Sequence, residues 1–292
     1  MRFLIIFTGV IIFELFTAPM WDNIKLGWWA YIYQDVSWIL TLGWTTMILT
    51  VVLLIDHYFA RLSVTKRFLS YLVALTFLVV LAESAVVNLG IRSYSPEVKD
   101  ALIGVYFIGI PIETLYYVPV FMTLVISFYK YWAYVIDKAI LVPVIKGKWF
   151  RNFILAVIGV LLFELMIEPM VDNQNFPSWS YIYRDITILM TFTWIIIIWL
   201  ATALIDKFFI QFNLVQKFIG YLAAIGIFAL PLESWLIKNG YRVYGQSAQD
   251  NFTGFFTPIT HVPVEIAFAI PLYLALIVSF IRFWAITYDN HQ

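Results

Sequence analysis

Cysteine is absent from this 292-residue chain, and histidine is scarce. Without cysteine the protein has no disulfide, no iron–sulfur cluster and no thiol nucleophile. Its three histidines are too few for a histidine-rich metal centre such as a membrane di-iron hydroxylase needs. We therefore predict neither a metal site nor a cofactor.

Charge is also in short supply. Only 12% of the residues are charged, against about 25% in a soluble domain. Hydrophobic residues make up 63% of the chain, the mean hydropathy is +0.88, and apolar runs long enough to cross a bilayer recur throughout. The formal net charge of zero argues against a nucleic-acid partner. This composition predicts an all-α, multi-pass protein of the cell membrane, in contact with membrane lipid.

The N-terminal segment, residues 1–19, has the composition of a signal peptide: Arg2, then an apolar run, then small residues. Glu14 interrupts the apolar run, and the same segment recurs deep inside the chain. We therefore predict that it is the first transmembrane helix.

An internal repeat runs through the sequence at an offset of 150 residues, which becomes 152 after a two-residue insertion. Phe13-Glu14-Leu15, for example, recurs as Phe163-Glu164-Leu165. Other matched pairs are Pro19/Pro169, Asp22/Asp172, Asn23/Asn173, Trp29/Trp179, Asp35/Asp185, Trp44/Trp194, Asp56/Asp206, Tyr71/Tyr221, Glu83/Glu233, Arg92/Arg242, Tyr94/Tyr244, Pro111/Pro263, Glu113/Glu265 and Pro119/Pro271. So many identities at a constant offset predict two tandem copies of one module.

Each module is predicted to contain four transmembrane helices, about eight in all. The modules are 1–132 and 151–292, joined by a cytoplasmic linker, 133–150, whose apolar part could form a short interfacial helix. The predicted helices are 3–20, 36–56, 67–90, 103–130, 151–170, 186–206, 217–238 and 257–283. Because four is an even number, both modules insert in the same direction, which makes the repeats parallel.

The distribution of basic residues gives the orientation. With these helices, twelve of the 18 Lys and Arg residues fall on the side that carries both termini and the linker. The positive-inside rule therefore predicts that both termini are cytoplasmic.

Glutamates inside apolar segments are the candidate functional residues. A charged residue at the centre of a membrane helix costs roughly 2.5–3.5 kcal/mol on insertion scales. The six candidates, listed in order of preference, are Glu113, Glu265, Glu14, Glu164, Glu83 and Glu233. If the modules pack face to face, all six carboxyls could converge on one cavity, with Glu168, which has no counterpart in the first module, as a seventh.

Carboxyls that are buried together favour the protonated form, so one can donate a proton while an ionised neighbour accepts one. Aromatic faces can stabilise a carbocation. The aromatic residues that we assign to substrate binding are Tyr116, Tyr117, Phe268, Trp29 and Trp179. Acid, base and aromatic faces together suit proton-initiated chemistry on a polyene or isoprenoid.

Structural roles compete with these assignments. Trp and Tyr near helix ends commonly form interfacial belts, which is the alternative for Trp29 and Trp179. Arg92 and Arg242, each nine residues after a repeated glutamate, are predicted to form ion pairs that fix the outer loop. His261 is a candidate proton shuttle or a structural histidine.

Two stretches resemble a known family. Glu83, Asn88-Leu89-Gly90-Ile91-Arg92-Ser93-Tyr94 and Gly109-Ile110-Pro111-Ile112-Glu113-Thr114-Leu115-Tyr116-Tyr117 are similar to the lycopene cyclase domain of the small membrane type, and the second module has a similar pattern. The family's Pro-x-Glu-Glu has Thr114 or Ile266 at its last position here, and the family domain has about three helices rather than four. The resemblance implies two tandem or paired copies, no soluble cofactor domain and redox-neutral cyclisation of lycopene.

The leading hypothesis is a membrane-embedded carotenoid or isoprenoid cyclase in which a glutamic acid protonates a terminal double bond. A hydratase would use the same groups. One alternative is a proton-coupled transporter, favoured by parallel repeats, carboxylates within the membrane and helices broken by proline. The other is a non-catalytic subunit that binds lipid or pigment beside partner membrane subunits.

Overall fold

The computed structural model of the protein describes residues 1–137 and 148–290. Eight helices in this part of the chain are long and apolar enough to cross a membrane. The prediction of a helical, multi-pass membrane protein is therefore confirmed. The chain divides into two compact units, Met1–Tyr129 (unit 1) and Lys130–Gln292 (unit 2).

Unit 1 is built from long helices joined by structured loops. Its helices are α1 (Arg2–Thr17), α2 (Trp38–Tyr58), α3 (Val64–Asn88), the short α4 (Pro96–Asp100) and most of α5 (Thr114–Ile136). Helix α2 packs against both α1 and α3. Gly9 lets α1 approach α5 closely, because a Cβ atom there would lie 3.1 Å from Phe128 Cδ1.

The loops of unit 1 form three two-stranded antiparallel ladders. Strand β1 (Trp21–Asn23) pairs with β4 (Arg92–Tyr94), β2 (Tyr31–Tyr33) pairs with β3 (Val36–Ser37), and β5 (Tyr106–Phe107) pairs with β6 (Ile110–Pro111). The β1–β4 ladder joins the loop after α1 to the loop after α3, which brings residues far apart in sequence onto one site.

Unit 2 has corresponding helices and two corresponding ladders, and in place of the β5–β6 hairpin it has a single bridge between Phe256 and Pro263. Its helices are α6 (Trp149–Ile167), α7 (Ile188–Phe208), α8 (Leu214–Lys238), the short α9 (Gln246–Asp250) and α10 (Val264–Asn290). Its strands are β7 (Val171–Asn173), which pairs with β10 (Arg242–Tyr244), and β8 (Tyr181–Tyr183), which pairs with β9 (Ile186–Thr187). Helix α6 packs on α7 and α10, with Gly159 against Ile277 and Phe280.

The last helix of each unit begins later than predicted. Helix α5 begins at Thr114 instead of 103, and α10 at Val264 instead of 257. The residues before α5 are apolar, but Gly104 and Gly109 have positive φ angles of +79° and +87°, and Pro111 has no N–H to donate. This stretch therefore forms the β5–β6 hairpin.

Two further expectations concern the last helices, α5 and α10. Helix α5 continues to Ile136, past the predicted start of the linker at 133, and most of the predicted interfacial helix lies outside the described residues. Helices α5 and α10 also run on through Pro119 and Pro271, so neither of them is one of the proline-broken helices that favoured the transporter alternative.

Candidate functional site

Each unit contains one cluster of buried and half-buried polar side chains beside its β-ladder. Cluster 1 consists of Glu14, Asn23, Thr41, Glu83, Arg92 and Tyr94. Cluster 2 consists of the counterparts Glu164, Asn173, Thr191, Glu233, Arg242 and Tyr244. The structure thus brings together four of the six predicted glutamates as two pairs, one pair in each unit.

The centre of cluster 1 is an ion pair between Arg92 and Glu83. Arg92 Nη1 lies 2.9 Å from Glu83 Oε2, and both side chains are 6% exposed. The Tyr94 hydroxyl donates to the other carboxylate oxygen at 3.1 Å. Burial raises the pKa of the Tyr94 phenol above its ordinary value, and the adjacent negative charge of Glu83 raises it further. Tyr94 therefore stays a neutral donor to the carboxylate.

Arg92 is also held from its other sides. Its Nε donates to Asn23 Oδ1 at 2.9 Å, and its Cζ lies 5.0 Å from the centroid of the Trp21 ring. Asn23 stands opposite Arg92 in the β1–β4 register, so the ladder itself places the two side chains together. The predicted ion pair between Arg92 and the repeated glutamate is confirmed.

Glu14 contributes the second carboxyl of cluster 1. It projects from α1, is 6% exposed, and accepts a hydrogen bond from the Thr41 hydroxyl of α2. Arg92, which is already paired with Glu83, acts on Glu14 electrostatically. Cluster 1 therefore contains two carboxyls and one guanidinium.

Cluster 2 repeats this arrangement with looser contacts around the arginine. Glu164 accepts from the Thr191 hydroxyl at 2.6 Å, Tyr244 donates to Glu233, and Arg242 Nε lies 3.5 Å from Glu233 Oε1. The predicted ion pair of Arg242 is thus also confirmed.

Electrostatic interactions link both carboxyls of cluster 2 to Arg242. Burial by itself lowers the pKa of the guanidinium, but the negative groups around it more than offset this, so its pKa lies above the ordinary value. The largest of these opposing effects comes from Glu233, and smaller ones come from Tyr244, Tyr273 and Glu164. Burial and the charge of Glu233 also raise the pKa of Tyr244 well above its ordinary value.

Glu113 and Glu265, the first choices from the sequence, have a different environment. Glu113 Oε1 accepts from the backbone N–H of Ile103 at 2.7 Å, just before the β5–β6 hairpin. Glu265 Oε1 accepts from the N–H and hydroxyl of Thr253 at 2.8 Å and 2.6 Å. Both carboxylates therefore fasten the loop that precedes their own helix. The hypothesis that all six carboxyls converge depends on both units together, and it stays a prediction.

The proposed substrate-binding aromatics lie mostly at the surface. Trp29, Trp179 and Phe268 are exposed, and Trp29 packs against Trp38 with ring centroids 5.5 Å apart. Tyr116 and Tyr117 are half-buried, and their ring centroids lie 4.3 Å apart. Their assignment to substrate binding and the alternative of an interfacial belt for Trp29 and Trp179 both stay predictions.

Two other candidates occupy positions peculiar to unit 2. His261 is exposed and has a φ angle of +51° in a turn where unit 1 has Gly109. Glu168 is buried and pairs with Arg184 at 3.6 Å, whereas unit 1 has Ala18 and Gln34 at these positions.

Sequence reasoning missed the hydroxyl and amide partners of the carboxyls. They are Thr41, Thr191, Asn23, Asn173, Tyr94 and Tyr244. All six belong to identical pairs at the repeat offset, so the repeat itself was the signal that could have found them. Among residues 1–137 and 148–290, no three Asp, Glu or His side chains are grouped as metal ligands.

These features define a multi-pass helical membrane protein with a buried acid–base cluster in each of two units. Comparison with protein-family models, with curated proteins and with solved structures finds no match to this chain. The resemblance to the cyclase domain consequently depends on the short motifs alone.

Proposed function

We propose that this protein is a membrane-embedded enzyme that cyclises a polyene or another isoprenoid without net oxidation or reduction. Glu14 and Glu164 are its proposed proton donors, and Glu83 and Glu233 are the ionised partners. The observation that carries this proposal is the composition of each cluster: two carboxyls, one of them paired with the arginine and the other bonded to a threonine hydroxyl.

The charge balance of the clusters explains why Glu14 and Glu164 are preferred. If both carboxyls of a cluster were ionised, the cluster would hold one uncompensated negative charge in apolar surroundings, which is costly. A proton on the carboxyl that lacks the direct arginine contact removes this charge. A neutral carboxylic acid in such surroundings is a proton donor at neutral pH.

The proposed reaction begins when the carboxylic acid protonates a terminal double bond of the substrate. Its O–H bond breaks, a C–H bond forms, and a carbocation remains on the adjacent carbon. A neighbouring double bond attacks this cation and closes the ring, and the carboxylate then removes a proton from a ring carbon. The donor is regenerated, so the reaction needs no oxidant, reductant or metal.

The motif resemblance supports the same reaction class but a different acid. In the family pattern the acid of Pro-x-Glu corresponds to Glu113 and Glu265. Because these carboxylates accept backbone N–H groups of the preceding loop, we rank them after Glu14 and Glu164. Exposed aromatic residues at the outer loops remain candidates for the first contact with a hydrophobic substrate.

We further propose that the two units are tandem copies inserted in the same direction, with both termini cytoplasmic. This topology is supported by the residue matches and by the four membrane-crossing helices on each side of residues 138–147. It is also supported by the excess of basic residues on the predicted cytoplasmic side of the membrane.

A proton-coupled transporter is the second candidate. It is favoured by the glutamates that lie on membrane-crossing helices, Glu14 and Glu83 in unit 1 and Glu164 and Glu233 in unit 2, because ionisable residues at such positions often mark proton pathways. The continuity of α5 and α10 through their prolines removes one argument for it.

Pigment analysis of a lycopene-producing host that expresses the chain tests the enzyme. We expect cyclised product from the wild type and at least about 100-fold less from Glu14→Gln combined with Glu164→Gln, because general-acid catalysis contributes a factor of this size. The exposed Asp22→Asn is the control.

Equal product from the double variant and the wild type would refute the assignment of the donors. Lycopene that copurifies unconverted would favour a pigment-binding subunit. Proton uptake by proteoliposomes without pigment conversion would favour the transporter.

A further inference from the structure

The same cross-strand pair of asparagine and arginine has different contacts in the two units. Asn23 faces Arg92 in the β1–β4 register, and Asn173 faces Arg242 in the β7–β10 register. In unit 1 the arginine Nε donates directly to the asparagine Oδ1 at 2.9 Å. In unit 2 Arg242 Nε and Asn173 Oδ1 are both buried, and neither makes a hydrogen bond among the described residues. Arg242 Nε does lie 3.5 Å from Glu233 Oε1, in the ion pair described above, but it makes no hydrogen bond there.

The orientation of the Asn173 amide is set independently of Arg242. Its Nδ2 donates to the backbone carbonyl of Asp185 at 2.6 Å, as Asn23 Nδ2 does to that of Asp35 in unit 1. The oxygen of the amide must therefore point away from that carbonyl, where it can act only as an acceptor. Both residues are only 8% exposed, so the Arg242 N–H and the Asn173 amide oxygen are withdrawn from bulk water.

A change of one neighbouring residue accompanies this difference. In unit 1 the Trp21 ring covers the arginine at 5.0 Å, whereas the corresponding residue of unit 2 is Val171. Valine is smaller and has no aromatic face to offer a guanidinium. Cluster 2 thus lacks both the direct bond and the aromatic cover that complete cluster 1.

We propose that cluster 2 binds a hydroxyl group between Asn173 Oδ1 and Arg242 Nε, and that cluster 1 does not. A hydroxyl donates one hydrogen bond and accepts another, which matches one acceptor and one N–H donor. A carboxylate has no hydrogen to donate to Asn173, and an ammonium has no lone pair for Arg242. The hydroxyl belongs either to a water molecule or to the end of an isoprenoid alcohol; only the second source rests on the proposed function.

A structure of the full chain in lipid nanodiscs at about 2 Å resolution, alone and with farnesol, tests the site. We expect an oxygen within about 2.7–3.2 Å of both atoms in unit 2 and none at the equivalent position in unit 1. An isolated oxygen identifies water, and an oxygen continuous with a hydrocarbon chain identifies the alcohol. A direct bond from Arg242 Nε to Asn173 Oδ1 would overturn the proposal, as would the same oxygen in unit 1.

Titration with tritiated farnesol compares variants of the two units. If the alcohol is the ligand, Asn173→Ala weakens binding about tenfold, because it removes one buried hydrogen bond of roughly 1.4 kcal/mol. Val171→Trp weakens binding by a similar factor, because its ring would cover Arg242 as Trp21 covers Arg92 in unit 1. Asn23→Ala in unit 1 leaves binding unchanged. Val171→Trp keeps both polar groups, so it tests the site even if Asn173→Ala fails to fold.

Unchanged farnesol binding in Asn173→Ala and Val171→Trp, together with an isolated oxygen in the structure, supports the water source. Equal weakening by Asn23→Ala and Asn173→Ala would overturn the distinction between the clusters. These measurements do not depend on pigment conversion. A protein that forms no cyclised pigment can therefore still show the hydroxyl site, and a protein without the hydroxyl site can still form cyclised pigment.

Discussion

A buried arginine in each unit neutralises one of the two carboxyls beside it. The Arg92–Glu83 pair is 6% exposed on both sides, whereas the Arg67–Asp56 pair of the same unit is 25% and 26% exposed. Breaking a buried pair leaves an uncompensated charge, while an exposed pair loses little because water solvates the remaining charge. The two pairs thus compare the same arginine–carboxylate interaction in a buried and in a partly exposed position.

We predict that Arg92→Ala lowers the free energy of unfolding by about 3–5 kcal/mol, because Glu83 is left buried without its cation. Arg67→Ala should cost at most about 1 kcal/mol. Thermal or denaturant unfolding of the purified protein in detergent measures both. Equal losses for the two variants would mean that Glu83 takes up a proton, or is solvated, once Arg92 is removed.

At the scale of elements, the loops after α3 and α8 are fastened from two directions. The β1–β4 and β7–β10 ladders join them to the loops after α1 and α6, and the carboxylates of Glu113 and Glu265 bind their backbones. A carboxylate that accepts a backbone N–H orders a loop without any catalytic role. A matched pair of substitutions can separate these two roles of Glu113.

We predict that Glu113→Ala speeds hydrogen exchange of the Ile103 amide about tenfold, the effect of one lost hydrogen bond of roughly 1.4 kcal/mol. Glu113→Gln should keep the protection, since its side-chain oxygen can still accept. The exposed Asp100→Ala is the control. If Glu113→Gln preserves the loop yet abolishes pigment conversion, Glu113 replaces Glu14 as the acid; unchanged exchange in Glu113→Ala contradicts the fastening role.

For the whole molecule, membrane topology is the property that functional interpretation needs first. The proposed orientation places both clusters toward the outer face, on the side of the loops that follow α1 and α3 in unit 1 and α6 and α8 in unit 2. The absence of cysteine makes this directly measurable, because each introduced thiol is the only one in the protein.

We predict that Lys99→Cys and Ser178→Cys react with a membrane-impermeant maleimide in intact cells. Thr65→Cys and Gln211→Cys should react only after the membrane is permeabilised. All four positions are exposed. Labelling of Thr65→Cys and Gln211→Cys from outside would reverse the orientation, and labelling of Lys99→Cys and Gln211→Cys alone would mean that the units insert in opposite directions.

Much of the candidate site was visible in the sequence as repeated identities. Glu14, Glu83 and Arg92 recur at the repeat offset, and the ion pair of Arg92 was predicted from its nine-residue separation from Glu83. The contact of Glu113 could not be predicted, because its partner is the backbone N–H of Ile103, just before the β5–β6 hairpin. The apolar composition of this stretch predicts a helix instead. The backbone conformation of this stretch depends on Gly104, Gly109 and Pro111, whose local preferences outweigh its apolar composition.

The sequence by itself determined the membrane environment, the number of crossing helices and the internal repeat, because these depend on composition and on residue identities along the chain. Only the tertiary structure decided that Glu14 shares Arg92 with Glu83, and that the asparagine–arginine bond of unit 1 has no equivalent in unit 2. The physical reason is that these contacts join residues about 70 positions apart through strand register and side-chain direction, which no local pattern encodes.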